Sequence, residues 1–379
     1  MTQCSGASAE VTKIVADGLD VFVLSRPCCK KFYITVHPRE QQDEPYSMFE
    51  ILASFLREHD ARIVMQHVFG SCELHTDGID ALQRYCGQIT WPVTWIEADG
   101  PSGRFLTGTQ VYAISGAAVE PIRLDGRIVG GTFEDDDARY CMLGDIRPAN
   151  VGISRTKQAR QAFEKMESAL AFAGMDFSNV VRTWIYINDL LSWYEKFNEV
   201  RTRFYAERGL FSGIVPASTG IGVGNPTGAA LVTDLLAMKS KSDNVQVRKV
   251  RSPMQCPATD YRSSFSRALE VVLPDHRRLY VSGTASIETD GRTAHVGDVE
   301  KQIALTMKVV QAILESSQMS WSDVTRAIAY FKDIDETPMF DKYCRANSLP
   351  FLPIAIAHSD ICRDDLLFEI EVDAVVTDS

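Results

Sequence analysis

A stretch of twelve residues occurs twice in this chain with the same residues at key positions. Met175-Asp-Phe-Ser-Asn-Val-Val-Arg-Thr-Trp-Ile-Tyr186 and Met319-Ser-Trp-Ser-Asp-Val-Thr-Arg-Ala-Ile-Ala-Tyr330 share methionine, serine, valine, arginine and tyrosine, 144 residues apart. The pairs Lys157-Gln158 and Lys301-Gln302 keep the same spacing. Identities held without a gap over about thirty residues predict that the chain is built from repeated structural units.

Each copy has the same succession of predicted elements, which is clearest in the last one. A strand at Arg278–Ile287 is followed by a helix that begins near Asp298, whose side chain can cap the free amides. A strand at Val324–Phe331, a helix at Pro338–Asn347 and two closing strands follow, and the last strand is Leu366–Val372. The order β-α-β-α-β-β, which leaves room for an extra hairpin strand at the front, predicts an α+β fold with helices on one face of a mixed sheet.

The other two copies fit this order with decreasing clarity. The middle copy has a helix from near Ser154, a strand at Val180–Ile187 and a helix around Trp193–Glu207. The first third reads as an eroded copy, with the predicted elements Phe32–Val36 (strand), Tyr46–Glu58 (helix), Ala61–Phe69 (strand) and Phe105–Ser115 (closing strand). The polar stretch Lys239–Val250 is predicted to link the second and third copies. We therefore divide the chain into three units, 1–135, 136–240 and 241–379.

Charge and cysteine usage exclude several classes of function. The net charge is −11 and there is no basic block, which disfavours nucleic acid and membrane surfaces as partners because both attract cations. No apolar run reaches about 18 residues, so no transmembrane helix is expected. The nine cysteines, an odd number that includes the adjacent Cys28 and Cys29, indicate reduced thiols and a cytoplasmic location. Histidines and cysteines show no paired spacing typical of metal sites, so we expect no metal and no cofactor.

Two glutamates on the last predicted strand are the strongest candidates for chemistry. Glu369 and Glu371 lie two residues apart and therefore on one face. Leu367 on the same face makes the surroundings apolar, and desolvation would raise a carboxyl pKa and keep it protonated, as a general acid requires. The alternative is an exposed strand face or a structural carboxylate whose hydrogen bonds are satisfied.

Other candidates have equally plain alternatives. Arg363 could lower the pKa of the neighbouring Cys362 thiol or bind a carboxylate, but Cys362 could also be a small core residue and Arg363 could pair with Asp364 or Asp365. The glycines of the 219–225 segment predict either a backbone wall that a ligand can approach or a turn between strands. They do not predict a phosphate loop, because no helix follows directly.

Equivalent arginines and a tyrosine of the repeat complete the candidates. Arg182 and Arg326 occupy matching repeat positions and would lie near two different clefts, where they could bind a dianion, or they could point outward. Tyr186 is predicted to be part of the core or of a cleft wall.

The repeated unit resembles the Rid (YjgF) superfamily, whose members were formerly labelled endoribonuclease L-PSP or translation inhibitor. The resemblance is carried by Gly297-Asp298 with Gln302, by Met319-x-Trp-x-Asp-Val-x-Arg326, and by Leu367-Phe-Glu-Ile-Glu-Val-Asp-Ala374. Free-standing members are homotrimers with sites between subunits, so the resemblance implies an intramolecular pseudo-trimer. Rid deaminases hold a carboxylate with Pro-Ala-Arg, whereas this chain has Pro216-Ala-Ser218, which argues against ordinary imine deamination.

Four separated motifs are similar to those of chorismatases, a family that also builds a Rid-like pseudo-trimer. They are Pro216-Ala-Ser-Thr-Gly-Ile-Gly222, Ser282-Gly-Thr-Ala-Ser-Ile287, His295-Val-Gly-Asp298 and Asp360-Ile-Cys-Arg-Asp-Asp-Leu-Leu-Phe-Glu369. The resemblance implies cleavage of chorismate to pyruvate and either a dihydroxycyclohexadiene carboxylate or a hydroxybenzoate, with Glu369 as proton donor. Cys362 and Gly283 match the subgroup that makes 3-hydroxybenzoate, whereas Ile185 replaces a polar residue of the family pattern and puts the substrate in question.

The first hypothesis is thus a cofactor-free chorismatase-like enzyme that acts on a small carboxylated enol ether, with Glu369 and Cys362 as catalytic residues. The predicted substrate-binding residues are Arg182, Tyr186, Thr219, Gly220, Gly222, Gly283, Thr284 and Arg363. A monomeric pseudo-trimer or a homodimer is expected, with no nucleic-acid or membrane partner. The alternatives are a Rid-type hydrolase of an imine, enamine or other reactive metabolite, and a binder of small ligands without catalytic activity.

Overall fold

Three sheets of the same design form the protein. The computed structural model describes residues 9–38, 46–98, 106–258 and 263–377, and within these ranges the strands form three six-stranded sheets. Phe105, where one predicted strand begins, lies outside the described residues. None of the helices in these ranges has the length and apolar content needed to cross a membrane.

Each unit has three strands, a helix, a strand, a helix and two strands in chain order. The first unit comprises β1 (Glu10–Ala16), β2 (Leu19–Ser25), β3 (Lys30–Val36), α1 (Ser47–Glu58), β4 (Arg62–Gly70), α2 (His75–Cys86), β5 (Val93–Ile96) and β6 (Leu106–Ser115). The second comprises β7 (Glu120–Leu124), β8 (Arg127–Glu134), β9 (Ala138–Ile146), α3 (Arg155–Phe172), β10 (Val180–Ile187), α4 (Tyr194–Glu207), β11 (Ala217–Gly222) and β12 (Leu231–Ser240). The third comprises β13 (Gln246–Val250), β14 (Ala268–Val272), β15 (His276–Ala285), α5 (Val299–Ser316), β16 (Val324–Phe331), α6 (Thr337–Ala346), β17 (Ile354–His358) and β18 (Phe368–Thr377).

The strand order of the sheets follows from this succession. In the third unit it is β13-β14-β15-β18-β16-β17, and the other two units have the same order. β16 pairs in parallel with β17 and antiparallel with β18, so the sheet is mixed, as predicted. All eight residues of β16 are buried, because α5 and α6 cover one face of its sheet and the other face looks into the molecule.

The protein has four main apolar cores, one between the helices and the sheet of each unit and one shared by all three sheets. Each pair of helices packs on its own sheet, as where Ile303, Met307 and Val310 of α5 meet Val281 and Val372. The opposite faces of all three sheets share one central core, which contains side chains of every unit. The three units therefore surround a common interior, which is the arrangement of a pseudo-trimer.

Several sequence predictions need correction. β7 and β8 pair with β9 in the second sheet, so the first two units meet within 116–119 and not at 135/136. These short strands lie outside the part of the repeat that retains identities. Part of the predicted linker forms β13, and two strands, not one, precede the predicted β-α-β-α-β-β order. The helix α2 was not predicted because it buries only Gly78, Ala81 and Leu82, too few apolar residues for a clear period.

Candidate active site between the second and third units

Glu369 lies on β18, on the face that looks into the molecule, and its side chain is almost fully enclosed at 5% exposure. The neighbouring strand β15 is irregular between Val281 and Thr284, and Gly283 lies in this irregular stretch. A Cβ atom at Gly283 would come within 2.0 Å of Glu369 Oε1, so the carboxyl group occupies the space that a side chain at this position would need. Gly283 is therefore required for the position of the acid.

Burial determines the ionisation of Glu369. It raises the pKa of this carboxyl to about 8, the charge of Glu371 adds to the effect, and Arg182 and Arg267 oppose it. A carboxyl with a pKa of about 8 is mostly neutral at neutral pH, which is the state that a general acid requires.

Glu371, two residues further along the strand, has the opposite ionisation. Burial alone would raise its pKa, but the guanidinium groups of Arg182 and Arg326 and the hydrogen bonds of Thr219 and Trp184 outweigh burial and lower the pKa. Arg182 Nη2 lies 2.9 Å from Glu371 Oε2, and Arg326 Nη1 lies 2.8 Å from Oε1. The strand thus presents a neutral carboxyl next to an ionised one, a common way to separate acid and base roles.

The two equivalent arginines were expected near different clefts or on the outside, and the structure contradicts both expectations. Both are buried, and both pair with the same carboxylate, Glu371, in the interior. Trp184 lies between them, with each guanidinium carbon 5.1 Å from its ring centre. Because the units face one another around a common interior, equivalent positions of neighbouring units come together instead of apart.

Thr219 connects the second unit to the third. Its Oγ1 accepts hydrogen bonds from Arg182 Nη2 (2.7 Å) and from the backbone amide of Gly283 (3.0 Å). The Thr219 hydroxyl also forms a hydrogen bond with Glu371. Its bonds to Gly283 and Glu371 fix the position of the third unit relative to the second. The structure thus makes Thr219 a positioning residue for the glutamates.

The remaining predicted residues divide between interior and junction. Thr284 is buried and donates to Ser282 O (2.8 Å), while Tyr186 lies in the central core. Gly220 and Gly222 belong to the edge strand β11, so the 219–222 part of the segment is strand, and the non-strand stretch begins after Gly222. The amide of Gly222 donates to Asp360 O at 2.8 Å, and the amide of Asp360 donates back to Gly222 O.

A cleft of about 860 Å³ opens at this junction. Its walls come from α4 and the turn after it, from a segment before β14, and from the loop before β18, as follows: Tyr194, Glu195, Asn198, Glu199, Thr202, Arg203, Ala206, Phe211, Ser263, Ser264, Cys362 and Arg363. Tyr194 and Cys362 line the cleft, and the charge of Glu369 contributes to raising the pKa of both side chains. Glu369 itself is not one of the lining residues, and its link to the cleft is its charge effect on Tyr194 and Cys362.

The pKa of the Cys362 thiol is raised, which favours the alternative of a neutral, buried side chain over a thiolate. Burial and, to a smaller extent, the charge of Glu369 raise its pKa to about 12, because the opposing effect of Arg363 is smaller. Arg363 itself donates to Gly291 O at 2.7 Å on the rim of the cleft. Asp364, one of its suggested partners, pairs with Lys332.

Two buried arginines near the cleft were missed by the sequence analysis. Arg201 on α4 is 1% exposed, donates from Nη2 to Asn198 Oδ1 (2.6 Å), and has no partner for Nε among the described residues. Arg267 is also buried, and its charge reaches both Glu369 and Cys362. The spacing Phe197, Arg201, Tyr205 puts an arginine on the apolar stripe of a helix, and this signal could have identified Arg201.

Strand register identifies the positions that correspond to Glu369 in the other units. Glu369 pairs with Tyr330 on β16, and the same place in the second unit is taken by Val232, opposite Tyr186. In the first unit it is taken by Gly108, opposite Phe69. Of the three equivalent positions, the third unit alone provides a carboxyl group.

The chain is similar to proteins of known name. The chain is 26% identical to a 3-hydroxybenzoate synthase of Streptomyces hygroscopicus over 269 residues, which cover 64% of this chain and 75% of that protein. It is 27% identical to a chorismatase of the same organism over 51% of this chain and 60% of that protein. The crystal structure of a chorismatase matches 92% of this chain and all of its own, with a TM-score of 0.63 and 17% identity, which shows a shared fold.

The family model described as Endoribonuclease L-PSP matches residues 149–232 and 258–376. These segments contain most of the second and third units, including β10, α4, β18 and the cleft between them. Together they make up more than half of the chain. The chain therefore belongs to the endoribonuclease L-PSP family.

Proposed function

We propose that this protein is a cofactor-free enzyme of the chorismatase type that cleaves chorismate, or a closely related carboxylated enol ether, to pyruvate and a hydroxybenzoate-type product. The observation that carries the proposal is Glu369, a buried carboxyl with a pKa of about 8 beside the ionised Glu371. The names of the relatives, chorismatase and 3-hydroxybenzoate synthase, support the choice of substrate.

Proton donation by Glu369 starts the proposed reaction. An enol ether is unreactive until its terminal methylene carbon takes up a proton, which creates an oxocarbenium ion at the ether carbon. A carboxylic acid that is neutral at the working pH can supply this proton. The bond between the ring carbon and the ether oxygen then breaks, and the ether oxygen leaves as the ketone oxygen of pyruvate. When the product is 3-hydroxybenzoate, the neighbouring ring hydroxyl attacks the ring carbon and releases a proton that restores the Glu369 acid, and the two products together contain all atoms of chorismate, so no water is consumed.

Cationic and aromatic groups around the cleft fit a ring with two carboxylates. Arg203 and Arg363 line the cleft, and Arg201 lies against it on α4. A guanidinium group can bind a carboxylate through two parallel hydrogen bonds, and we assign this role to Arg201 because its Nε has no partner among the described residues. The rings of Tyr194 and Phe211 provide apolar walls for the substrate ring.

Cys362 acts as a neutral group in this proposal. A thiol with a pKa of about 12 is a poor nucleophile, so we assign it to the wall of the cleft, where its size and its weak hydrogen bonding influence which product forms. The eight described cysteines are all free, in keeping with a cytoplasmic location. Because the units already enclose a common core within one chain, we infer a monomer or a homodimer.

The decisive experiment measures pyruvate release from chorismate and identifies the second product by chromatography. We expect pyruvate and 3-hydroxybenzoate from the wild type, and a loss of kcat of at least about 100-fold in Glu369→Gln, with KM little changed. Glu120→Gln, on the exposed part of the edge strand β7, is the matched control and should retain full activity.

The possible results separate the alternatives. Pyruvate with a non-aromatic diol would keep the enzyme class and refute the 3-hydroxybenzoate product. Absence of pyruvate at high enzyme concentration would refute the proposal and favour a Rid-type hydrolase or a ligand-binding protein. The ordinary deaminase is disfavoured, because Ser218 stands in place of the arginine and its hydroxyl accepts from Thr183 at 2.9 Å.

A further inference from the structure

The turn between β2 and β3 holds two adjacent cysteines that the proposed reaction does not use. Cys28 and Cys29 have their sulfur atoms 3.7 Å apart. The amide of Arg26 donates to Cys29 O at 2.9 Å and closes the turn. Gly116 packs so closely on the turn that a Cβ atom there would lie 3.0 Å from Cys28 O. The two thiols are thus held side by side at one end of the first unit.

The two thiols differ in access and in acidity. Cys28 is half-buried, whereas Cys29 is buried in the central core. The hydrogen bond with Cys29, the backbone amide of Asp136 and the charge of Arg26 outweigh burial and lower the pKa of Cys28 to about 7. By contrast, burial raises the pKa of Cys86 to about 11 and that of Cys141 to about 12. Cys28 is therefore the more accessible and the more acidic thiol of the pair.

The same turn joins all three units through Arg26. Its Nη1 lies 2.9 Å from Asp135 Oδ2, its Nη2 pairs with Asp137, and its Nε lies 2.8 Å from Asp275 Oδ2. Asp135 and Asp137 belong to the second unit, and Asp275 belongs to the third. The Arg26 side chain is only 6% exposed, so these charge-assisted bonds are shielded from solvent. We call this set of ion pairs the Arg26 clasp.

We propose that Cys28 and Cys29 form a thiol–disulfide switch, in which oxidation by a small disulfide such as glutathione disulfide loosens the Arg26 clasp between the units. The Cys28 thiolate attacks one sulfur of glutathione disulfide, forms a mixed disulfide and releases one glutathione. Cys29 then attacks Cys28 Sγ, forms the Cys28–Cys29 bond and releases the second glutathione. The cysteines lose two electrons, glutathione disulfide gains them, and the two thiol protons end on the released glutathiones.

Geometry links this chemistry to the units. A disulfide requires sulfur atoms about 2.05 Å apart, so the two sulfur atoms, which lie 3.7 Å apart, must approach each other by about 1.7 Å. The bond closes a ring that contains the Cys28–Cys29 peptide, which forces new backbone angles in a turn packed on Gly116. Arg26 lies two residues from Cys28, and its three ion pairs depend on the position of this turn.

The test uses the full-length protein, glutathione disulfide as oxidant, and mass spectrometry of the intact chain and of its peptides. We expect a loss of about 2 Da, confined to the peptide that contains both cysteines and reversed by dithiothreitol. Oxidation should lower the thermal midpoint by about 2–4 °C in the wild type and leave Cys28→Ser unchanged. Cys86→Ser, a half-buried cysteine away from the turn, is the matched control and should behave as the wild type.

Arg26→Met tests the link between disulfide and clasp. This variant should have a lowered midpoint in the reduced state, and oxidation should lower it no further. A stable glutathione adduct without the mass loss, an unchanged midpoint in the oxidised wild type, or an equal fall in Cys28→Ser would overturn the proposal. Cys28 is partly exposed, so its serine variant should fold even if Arg26→Met does not.

Discussion

At the scale of single residues, the site depends on two glutamates that share a strand and differ in charge. Both were identified from their spacing, because residues two apart on a strand share a face. The arginines that ionise Glu371 could not be assigned from the sequence. Arg182 and Arg326 are 144 residues apart, and their contact with one carboxylate depends on how two units face each other. For Cys362 the sequence left a thiolate and a neutral core residue open, and the structure favours the neutral thiol because burial and not the adjacent arginine dominates its pKa.

The first prediction concerns the stability cost of the neutral acid. The pKa of Glu369 is raised from 4.5 to about 8, so the folded protein holds a proton that the unfolded chain loses above pH 4.5. Stability from this proton is complete below pH 4.5 and is lost as pH rises to about 8, by up to about 1.4 kcal/mol for each pH unit. Glu369→Gln does not titrate, so its thermal midpoint should exceed that of the wild type clearly at pH 8 and much less at pH 5. Parallel midpoints at both pH values would contradict the raised pKa.

At the scale of elements, the repeat predicted the second and third units closely and the first unit poorly. The strands Val180–Ile187 and Val324–Phe331 have the predicted bounds, and α5 begins at Val299, capped by Asp298. Each unit has two additional strands at its front, of which the sequence allowed for only one, because these strands carry no repeated residues. Arg201 on α4 was not predicted as a site residue. Its position on the apolar stripe of the helix is visible in the sequence, but a charged residue on such a stripe departs from the pattern that identifies a helix.

The second prediction concerns the irregular stretch of β15. Gly283→Ala would place a methyl group 2.0 Å from Glu369 Oε1 and 3.1 Å from Thr219 Cγ2, so the carboxyl group must move. A displaced acid loses its alignment with the reacting carbon, and kcat should fall by about 100-fold. Gly213→Ala is the control, because its new Cβ would have its nearest neighbour, Leu210 O, at 3.9 Å. Steady-state kinetics on both variants, with circular dichroism to verify folding, would make the comparison; full activity in Gly283→Ala would rule out the proposed position of the acid.

At the scale of the molecule, three similar units surround one core but do not have equivalent junctions. Val232 and Gly108 take the places that correspond to Glu369. Where the first two units meet, Glu97 packs against Gly224 so closely that a Cβ atom would lie 1.8 Å from Glu97 Oε2. The repeat predicted similar units and the family resemblance implied their pseudo-trimeric arrangement, whereas the difference between the junctions required the strand register.

The third prediction is that each chain has one active site. Titration of the Glu369→Gln variant with chorismate in a calorimeter should give about one equivalent bound per chain, because only the third unit provides the acid and its surroundings. Two or three equivalents would mean that the other junctions also bind the substrate and that the carboxyl group alone distinguishes them.

The presence of a single Glu369 has a consequence for how such a protein can evolve. In an assembly of identical subunits, each substitution is present in every subunit, so a buried acid would lower the stability of all of them. A single chain with three units carries the acid once. Val232 and Gly108 take the equivalent positions, so the other two units bear no destabilising buried carboxyl there. Joining the units in one chain therefore allows one unit to provide the catalytic group while the other two stabilise the structure. A symmetric assembly of identical subunits cannot differ in this way.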